Sequence, residues 1–337
     1  MCEEPRVIPS FYINVGGATT VVSALKVFEH NVDSPPWIIS GDSDGCVKVW
    51  NSHTRRLHQT VVSEMADSSA VLWLDTFKSG GGFDYLTVQR RFSSTLTTLK
   101  LQSSTWTTID SLSLNEPHSG FCTGDVSSTH MIVPQGDKTC VLYTFANESW
   151  GTSGGESHSE DDQGNVTALR LVPGEDGRRL MVIAGYESGA LLVLKHLEFG
   201  FEVLHKVTSQ QHHEGPAASI LSVDYDVRRG VGVASTSEDF IFSFDMEGNV
   251  HKRRELPTQG VSQIRIRTRD SKLAVGASWD STLRLFSWLK PNKLKPLGAL
   301  RFHQEGLTCV DCSGSTGWVT CGGKDGKLTV WKDLYTS

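Results

Sequence analysis

Three cysteines near the carboxyl end of this 337-residue chain could bind a metal or carry out redox chemistry. Cys309 and Cys312 form a CxxC pair, and Cys321 follows in the next apolar run. A structural zinc site usually needs four ligands from two such pairs. This pair lies in an alternating, strand-like segment, where a free cysteine ordinarily acts as a small buried apolar residue. We therefore expect these thiols to pack in the core and to bind no metal.

A glycine-rich segment and the histidines are the next candidates for chemistry, and neither has the required pattern. Residues Gly322–Lys327 resemble a phosphate loop, but the GxxxxGKS or GxxxxGKT spacing is absent and a strand follows instead of a helix. The twelve histidines include no pair at helical spacing for a metal, and no serine lies in a nucleophile elbow. The sequence therefore predicts a protein that is not an enzyme, with no catalytic residues, no metal and no cofactor.

Two kinds of charged segment could act as recognition or modification sites. Lys252-Arg253-Arg254 and the alternating arginines of Arg265–Arg269 could form patches for nuclear import or for an acidic partner. Ser159 precedes a run of acidic residues, so it would suit an acidophilic kinase as a phosphorylation site. The alternative for each segment is an ordinary solvated surface or loop.

Short alternating strands in an internal repeat would carry these residues. Helical periodicity is scarce, and runs rich in Val, Ile, Leu and Thr are broken by Gly, Ser and Asp. The segment Trp37–Trp50 has the pattern of a strand, a tight polar turn and a second strand, and it recurs at Leu273–Phe286 and Trp318–Trp331. Weaker copies span Val182–Leu194 and Val233–Phe244.

The spacing of the repeats matches the length of a propeller blade. Two eroded copies end near positions 101 and 145, so seven repeats close 42 to 51 residues apart. A four-stranded blade takes about 40–45 residues. A further strand precedes most units and should line a central channel. In the clear copies an aspartate stands six positions before the closing aromatic residue: Asp44 and Trp50, Asp280 and Phe286, Asp325 and Trp331.

This pattern resembles that of the WD-repeat β-propellers. The resemblance implies that the turn aspartate accepts a hydrogen bond from a histidine of the preceding loop, with the closing tryptophan beside it. His303, Asp325 and Trp331 match best, in the last blade, and His213 is a candidate in the fifth. We therefore predict an all-β fold, a seven-bladed WD-repeat propeller that occupies residues 1–337 as a single domain.

Two segments lie outside the repeats. Ser10–Val15 has strand character and precedes the first repeat, while the last repeat ends without a fourth strand. We expect this N-terminal segment to complete the last blade, which would remove an open sheet edge. Residues 146–164 are polar, acidic and rich in Gly and Ser, so we predict a mobile acidic loop there.

The turns before the aspartate position are the candidates for partner binding. In WD propellers these turns surround one mouth of the channel. Trp279 and Lys324 stand immediately before the turn aspartates, and Tyr186 and Glu187 lie in the equivalent turn of the fourth repeat. Trp and Tyr are common anchors of protein interfaces. We predict that these four residues form a partner-binding face, with packing against a neighbouring blade as the alternative for Trp279.

Longer segments resemble the G-protein β-subunit-like, ASTRA-associated family. They are Ser40–Arg56, Gly120–Cys122, Ala184–Gly189, Ser278–Trp288 and Leu300–His303. The resemblance implies a non-catalytic adaptor in the cytoplasm and nucleus. It would assist assembly and stability of phosphatidylinositol 3-kinase-related kinases with the TTT co-chaperone complex and the chromatin-linked ASTRA assembly. The alternative is a WD-repeat peptide reader or substrate receptor in chromatin or ubiquitin-ligase complexes.

Composition and charge restrict the expected partners to proteins. The formal charge of −6 gives no general attraction to nucleic acid, and no apolar run is long enough to cross a bilayer. Few residues precede the first strand, and Pro5 and Pro9 among them disfavour a helix. We therefore expect no G-protein γ subunit, no direct nucleic acid, no membrane and a monomeric propeller.

Overall fold

Seven antiparallel sheets of four strands each surround a central channel. The computed structural model describes residues 8–17, 19–30, 34–62, 69–158, 163–174, 180–198, 200–208 and 218–335. These residues contain 28 strands and no α-helix, and accordingly no helix that could span a membrane. The predicted all-β, seven-bladed propeller is confirmed.

Each sheet is one blade, and in blades 1 to 6 the strands follow the chain from the channel outwards. Blades 1 to 3 contain β2 (Val22–Phe28), β3 (Trp37–Asp42), β4 (Val47–Asn51), β5 (Arg56–Val62), β6 (Val71–Lys78), β7 (Asp84–Arg90), β8 (Thr95–Gln102), β9 (Thr105–Ser113), β10 (Asp125–Val126), β11 (His130–Gln135), β12 (Thr139–Ala146) and β13 (Ser149–His158). Blades 4 to 6 contain β14 (Val166–Pro173), β15 (Leu180–Tyr186), β16 (Ala190–Leu197), β17 (Gly200–Thr208), β18 (Ile220–Asp226), β19 (Val231–Thr236), β20 (Phe240–Asp245), β21 (Val250–Glu255), β22 (Val261–Ile266), β23 (Leu273–Ser278), β24 (Thr282–Ser287) and β25 (Lys295–Arg301). Blade 7 contains β26 (Leu307–Cys312), β27 (Val319–Gly323), β28 (Lys327–Trp331) and, outermost, β1 (Phe11–Asn14).

The inner strands form a closed ring, in which each packs against the inner strand of the next blade and β26 packs against β2. Close packing at the seams depends on glycine in the second strand. A Cβ on Gly41 would lie 2.5 Å from Cγ1 of Val71, and a Cβ on Gly322 would lie 2.5 Å from Cγ1 of Val22. Any larger residue would push neighbouring blades apart, so these positions favour glycine for lack of space.

The N-terminal strand completes blade 7, as predicted. β1 pairs antiparallel with β28, with Phe11 opposite Val330 and Ile13 opposite Leu328. Phe11 and Ile13 are buried, whereas the alternate residue Tyr12 points outwards and is half exposed. This two-residue alternation places one face of a short edge strand in the core.

The prediction of a mobile loop over residues 146–164 is wrong for Ser149–His158. These residues form β13, the outer strand of blade 3, and pair with β12. An outer strand has solvent on one side and needs few apolar side chains, so a polar sequence is sufficient. Trp150 is buried and packs on Phe145, with their ring centroids 4.8 Å apart. Residues 159–162, which include the predicted phosphorylation site Ser159, lie outside the described residues.

The predicted Asp–His–Trp group of blade 7 is assembled, together with a hydroxyl that the sequence pattern did not reveal. His303 Nδ1 lies 2.8 Å from Asp325 Oδ1, and His303 Nε2 lies 3.0 Å from Thr329 Oγ1. Trp331 Nε1 donates to the same hydroxyl at 3.1 Å. Burial lowers the pKa of His303, which favours a neutral ring. With its proton on Nδ1, the ring donates to the carboxylate and accepts from Thr329, so the four side chains form one chain of hydrogen bonds.

The closing aromatic residues of two other clear repeats are buried, as their position predicts. Trp50 is 7% exposed, and its Nε1 donates to Ser40 Oγ at 2.8 Å. Phe286 is 1% exposed and belongs to the apolar core between blades 5 and 6. An indole needs a hydrogen-bond acceptor when it is buried, whereas a phenyl ring does not, which explains the polar neighbour in only one of these blades.

The turn aspartates of the same repeats are bound without a histidine. Asp44 Oδ2 accepts from Thr20 Oγ1 at 3.1 Å. Asp280 Oδ2 accepts from Arg284 Nη2 at 2.6 Å. His213, the candidate partner in the fifth blade, lies outside the described residues.

We expect Asp325→Asn to lower the free energy of unfolding by about 1–3 kcal/mol at neutral pH, because a buried hydrogen-bond network loses its charged acceptor. Burial opposes the charged form of Asp325, but the hydrogen bond from His303 and two backbone N–H groups outweigh it, so the pKa of Asp325 lies below its ordinary value. A lowered carboxyl pKa stabilises the fold above the unfolded-state pKa, and this stabilisation is lost as pH falls through the folded-state pKa. Denaturation curves between neutral pH and about pH 3 should show the difference from wild type shrinking with acid. A difference that stays constant over this range would contradict the assignment.

Candidate functional site

The central channel is a deep concave feature with a volume of about 750 Å³. Inner strands form its wall, and the turns between second and third strands form one of its mouths. The predicted residues Trp279, Lys324 and Glu187 all line the cavity at this mouth. Ligand and partner sites occur preferentially in such concavities, so we take the channel and this rim as the candidate site.

Backbone hydrogen bonds hold the rim residues in equivalent positions. The N–H of Trp279 donates to Gly260 O at 3.0 Å, and the N–H of Lys324 donates to Gly306 O at 2.9 Å. Glu187 makes the same bond to Asn165 O at 3.0 Å. Each turn is therefore tied to the residue just before the inner strand of its own blade, which gives the rim a rigid base.

Trp279 both packs and remains available for contact. Its side chain is 49% exposed. The ring lies against Gly260, where an added Cβ would collide with the indole and where φ is +77°. Glycine is therefore required beneath the ring for two independent reasons. The indole has one face on the protein backbone and the rest free, as an interface anchor requires.

The prediction that Tyr186 contacts a partner is wrong. Its side chain is 1% exposed and belongs to the apolar core between blades 3 and 4. Tyr186 is the last residue of β15, whose alternation turns it inwards, whereas Glu187 begins the turn and is exposed. Glu187 accepts from the backbone N–H of Asn165 at 3.0 Å and from its Nδ2 at 3.3 Å. Lys324 is also exposed, so three of the four predicted residues stand at the mouth.

A second aromatic group on the rim was missed from the sequence. Phe121 is 78% exposed and Phe92 is 61% exposed. The Arg91 guanidinium lies 4.1 Å from the ring centroid of Phe121 and 4.9 Å from that of Phe92. Arg91 Nε also donates to Ser119 O at 2.7 Å, which fixes the side chain. Arg91 occupies the same position in its turn as Trp279 and Lys324 do in theirs. This equivalence was not recognised because the sequence of the second and third repeats departs from the repeat pattern.

Seven charged residues form a ring around the channel, with one residue on the inner strand of each blade at the same strand register. These residues are Lys26, Asp75, Asp125, Arg170, Asp224, Arg265 and Asp311. No sequence motif reveals the ring, because its members are single charges spread over most of the chain. It contains four acids and three bases in a narrow space, so its electrostatics depend on how they pair.

Five of the ring residues form short ion pairs. Lys26 Nζ lies 2.7 Å from Asp75 Oδ1. Arg170 pairs with two aspartates: its Nη1 lies 3.2 Å from Asp125 Oδ1, and its Nε lies 3.0 Å from Asp224 Oδ1. Burial opposes the charged form of Lys26, but the neighbouring carboxylates outweigh it and raise the pKa. Burial also raises the pKa of Asp125, against the effect of Arg170.

Three ring aspartates also join adjacent blades through the backbone. Asp125 accepts from the N–H of Leu171 at 2.7 Å, Asp224 from that of Ile266 at 2.7 Å, and Asp311 from that of Val27 at 2.8 Å. Each donor belongs to the inner strand of the next blade. The ring therefore stabilises the contacts between adjacent blades, and it also supplies charged groups to the channel wall.

The arginines of the two basic clusters have different surroundings. Arg265 lines the channel, whereas Arg267 is 0% exposed and Arg269 is exposed. β22 ends at Ile266, so strand alternation does not extend over the whole cluster. In the other cluster, the Arg253 guanidinium stacks 3.5 Å from the ring centroid of Phe240. Arg254 Nε donates to a backbone carbonyl at 3.2 Å.

The core-packing prediction is confirmed for two of the three cysteines. Cys309 and Cys321 are 3% and 0% exposed, and burial raises the pKa of each thiol to about 12. Thiols with such a pKa carry almost no thiolate near neutral pH and are poor nucleophiles. Cys312 is partly buried, and burial raises its pKa as well. Within the described ranges, no group of three or more His, Cys, Asp and Glu side chains could hold a metal ion.

Comparisons with known proteins agree with this architecture. The family model described as "WD domain, G-beta repeat" matches residues 16–51 and 294–332. The mouse (Mus musculus) "Guanine nucleotide-binding protein subunit beta-like protein 1" is 27% identical over 312 residues, which cover 89% of this chain and 88% of that protein. The Aspergillus flavus "ASTRA-associated protein 1" is 24% identical over 214 residues, 47% of this chain and 48% of that protein. The chain is therefore a seven-bladed propeller that carries matches to the WD repeat near both ends and resembles the G-protein β-like and ASTRA-associated proteins.

Proposed function

We propose that this protein is a non-catalytic adaptor that binds protein partners at the channel mouth. The observation that carries the proposal is the pair of exposed aromatic side chains on one rim. Trp279 rests on the backbone of Gly260, and Phe121 rests on the guanidinium of Arg91. Fixed aromatic and arginine side chains provide most of the binding energy in typical interfaces. They lose little conformational freedom on binding, since their neighbours already hold them.

We further propose that the partners belong to the machinery that assembles and stabilises phosphatidylinositol 3-kinase-related kinases, including the TTT co-chaperone complex and the ASTRA assembly. The support is the likeness to a protein named for ASTRA association, over about half of the chain, together with the family-like segments. The protein would then act in both cytoplasm and nucleus, which immunofluorescence of the tagged protein tests directly.

A second candidate function is a peptide reader or substrate receptor in chromatin or ubiquitin-ligase complexes. The observation in its favour is the channel itself, whose volume of about 750 Å³ is sufficient for side chains of a bound segment. An assembly adaptor would retain folded complexes, whereas a reader would bind a short linear segment by itself. Competition by short synthetic peptides from a captured partner therefore distinguishes the two functions.

We expect Trp279→Ala and Phe121→Ala each to weaken capture of at least one partner by about thirtyfold, the loss typical of a hot-spot residue worth about 2 kcal/mol. The test is affinity purification of the tagged full-length protein followed by quantitative mass spectrometry. Phe83→Ala is the matched control, because Phe83 is also an exposed phenylalanine, 52% exposed, with the Lys100 ammonium 3.9 Å from its ring centroid. It lies in the β6–β7 turn, at the end of the blade opposite the rim.

Two results would contradict the proposals separately. If both rim variants retain all partners at wild-type levels, the channel mouth is not the binding face. If the rim variants lose partners that include neither TTT components nor kinases of this class, the adaptor role stands and the kinase-assembly role falls.

A further inference from the structure

One cation of the charged ring has no carboxylate partner. Lys26 and Arg170 both form ion pairs, but within the described part of the chain no carboxylate oxygen lies within 4.0 Å of Arg265. The Arg265 guanidinium donates from Nη1 to Ile264 O at 3.1 Å and, at the longer distance of 3.5 Å, to Ser222 Oγ. Both bonds use one nitrogen, so Nε and Nη2 make no hydrogen bond to the described residues.

The flanking acids of the ring are already engaged elsewhere. Asp224 accepts from Arg170 at 3.0 Å and from the N–H of Ile266 at 2.7 Å. Asp311 accepts from the N–H of Val27 at 2.8 Å and lies 4.0 Å from Lys26. Arg265 therefore stands partly buried in the channel wall with two free donor nitrogens. The planar fork of a guanidinium matches the two oxygens of a carboxylate.

The channel wall between Arg265 and the mouth leaves space for a bound group. The second residues of the inner strands on this side are small and hydroxylated, and each bonds a carbonyl of the next blade. Ser262 Oγ donates to Leu307 O at 2.8 Å, Ser23 Oγ donates to Val71 O at 2.7 Å, and Thr308 Oγ1 donates to Val22 O. These hydroxyls are held against the wall. The longer Gln263 side chain is held there as well, because its Oε1 accepts from the N–H of Val310 at 2.7 Å, and Arg265 lines the open cavity.

The rim above this part of the channel has matching chemistry. Trp279 belongs to the same blade as Arg265, and Lys324 belongs to the next blade. All three side chains line the same cavity. A segment that entered the channel on this side would pass an exposed indole and a lysine before it reached the free guanidinium.

We propose that the channel binds an extended acidic peptide segment of a partner, with one Asp or Glu carboxylate on the Arg265 guanidinium. Lys324 would attract a neighbouring acid, and Trp279 would contact the segment at the mouth. The inference rests on the proposed role of the mouth as a partner-binding face and adds the chemistry of the bound segment. The ring has four acids against three bases, so recognition comes from local geometry at Arg265, and a cationic segment is the competing occupant.

The test is fluorescence anisotropy with the full-length protein and three fluorescein-labelled octapeptides of alternating sequence: Gly-Asp, Gly-Asn and Gly-Lys. We expect the Gly-Asp peptide to bind wild type about tenfold more tightly than the Gly-Asn peptide, as a charge-assisted hydrogen bond provides. Arg265→Gln should remove this preference, and Arg265→Lys should retain part of it because the charge remains without the fork. Arg269→Gln is the matched control, since Arg269 is exposed and bonds Thr316 O outside the cavity. Equal melting temperatures of the variants would show that they are folded.

The proposal is overturned if wild type shows no preference for the Gly-Asp peptide, if it prefers the Gly-Lys peptide, or if Arg265→Gln binds the Gly-Asp peptide as wild type does. The parallel affinity purification separates this failure from that of the proposed function. If Trp279→Ala loses partners while Arg265→Gln retains all of them, the binding face stands and the acidic segment in the channel is excluded. If both variants lose the same partners, the result supports both the binding face at the mouth and the acidic segment in the channel.

Discussion

Arg267→Ala should lower the free energy of unfolding by about 3–5 kcal/mol, the usual cost of removing one member of a buried ion pair. Arg267 is 0% exposed, although nothing in its sequence context marks it as internal. Its Nε and Nη2 donate to the two carboxylate oxygens of Asp270 at 3.0 and 2.7 Å. Its Nη1 donates to Leu334 O at 2.5 Å, and Nη2 also reaches Tyr335 O at 3.3 Å.

The effect is large because Arg267 joins three parts of the chain. It follows β22, binds the turn that leads to β23, and holds the segment after β28 against blade 6. The alanine variant would leave Asp270 without its cation and two carbonyls without donors. Leu334, which is 8% exposed in the core between blades 6 and 7, would lose the contact that holds its backbone.

Chemical denaturation of the purified variants measures this prediction, and Arg269→Ala is its control. Arg269 has the same side chain two positions along, but it is exposed and makes one hydrogen bond, to Thr316 O. The control should change stability by less than about 0.5 kcal/mol. Arg267→Lys should be destabilised too, because an ammonium cannot make the forked contact with Asp270. Similar losses in Arg267→Ala and Arg269→Ala would contradict the role assigned to Arg267.

The architecture was predictable from sequence because it depends on features that repeat along the chain. Strand alternation, glycine-containing turns and the spacing of Asp44, Asp280 and Asp325 gave seven blades and the position of the closing strand. The outer strand Ser149–His158 could not be predicted, since its sequence lacks an apolar alternation and its order depends on pairing with β12. The position of Tyr186 was predicted wrongly because the end of β15 could not be located to within one residue. Tyr186 is the last residue of the strand and not the first residue of the turn.

The site was predictable only in part, since it depends on side chains that come together from different blades. Trp279 was identifiable as a large aromatic residue in a polar turn. The stack of Arg91 on Phe121 joins the turns of two eroded repeats, so neither residue indicates the other along the chain. The charged ring could not be recognised from the sequence for the same reason. Asp311 and Arg265 are each a single charge in an apolar strand, and only the structure shows that they lie at the same strand register as the other ring residues.

The second large effect is expected in the closing strand, where Phe11→Ala combined with Ile13→Ala should prevent β1 from docking. Single truncations of buried Phe and Ile cost about 3–5 and 2–5 kcal/mol. Because the two side chains are close neighbours, their combined cost should fall somewhat below the sum. Even so, about 5 kcal/mol or more is comparable with the whole stability of many domains. We expect the melting temperature to fall by about 10 °C or more.

The physical reason is the position of these side chains at the seam between the first and last blades. Phe11 is 6% exposed and Ile13 is 5% exposed. Both belong to an apolar cluster that includes Leu25 and Trp50 of blade 1 and Val330 of blade 7. Loss of the strand would remove core from both blades and expose the edge of β28, whose unpaired backbone groups could then bind another chain.

Tyr12→Ala combined with Asn14→Ala is the matched control, because these residues alternate with the first pair and point to solvent. It removes side chains from the same strand but none from the core. Tyr12 is 51% exposed and contacts only the edge of the blade, with its ring centroid 5.3 Å from that of Phe302, so we expect a loss of about 1 kcal/mol. Hydrogen exchange should show the amides of β28 losing protection in the Phe11 and Ile13 variant before those of β26 do. If both double variants melt at the same temperature, or if the exchange of β28 is unchanged, the N-terminal strand does not close the ring. The rim proposed to bind partners would then not be closed by β1 between blades 7 and 1.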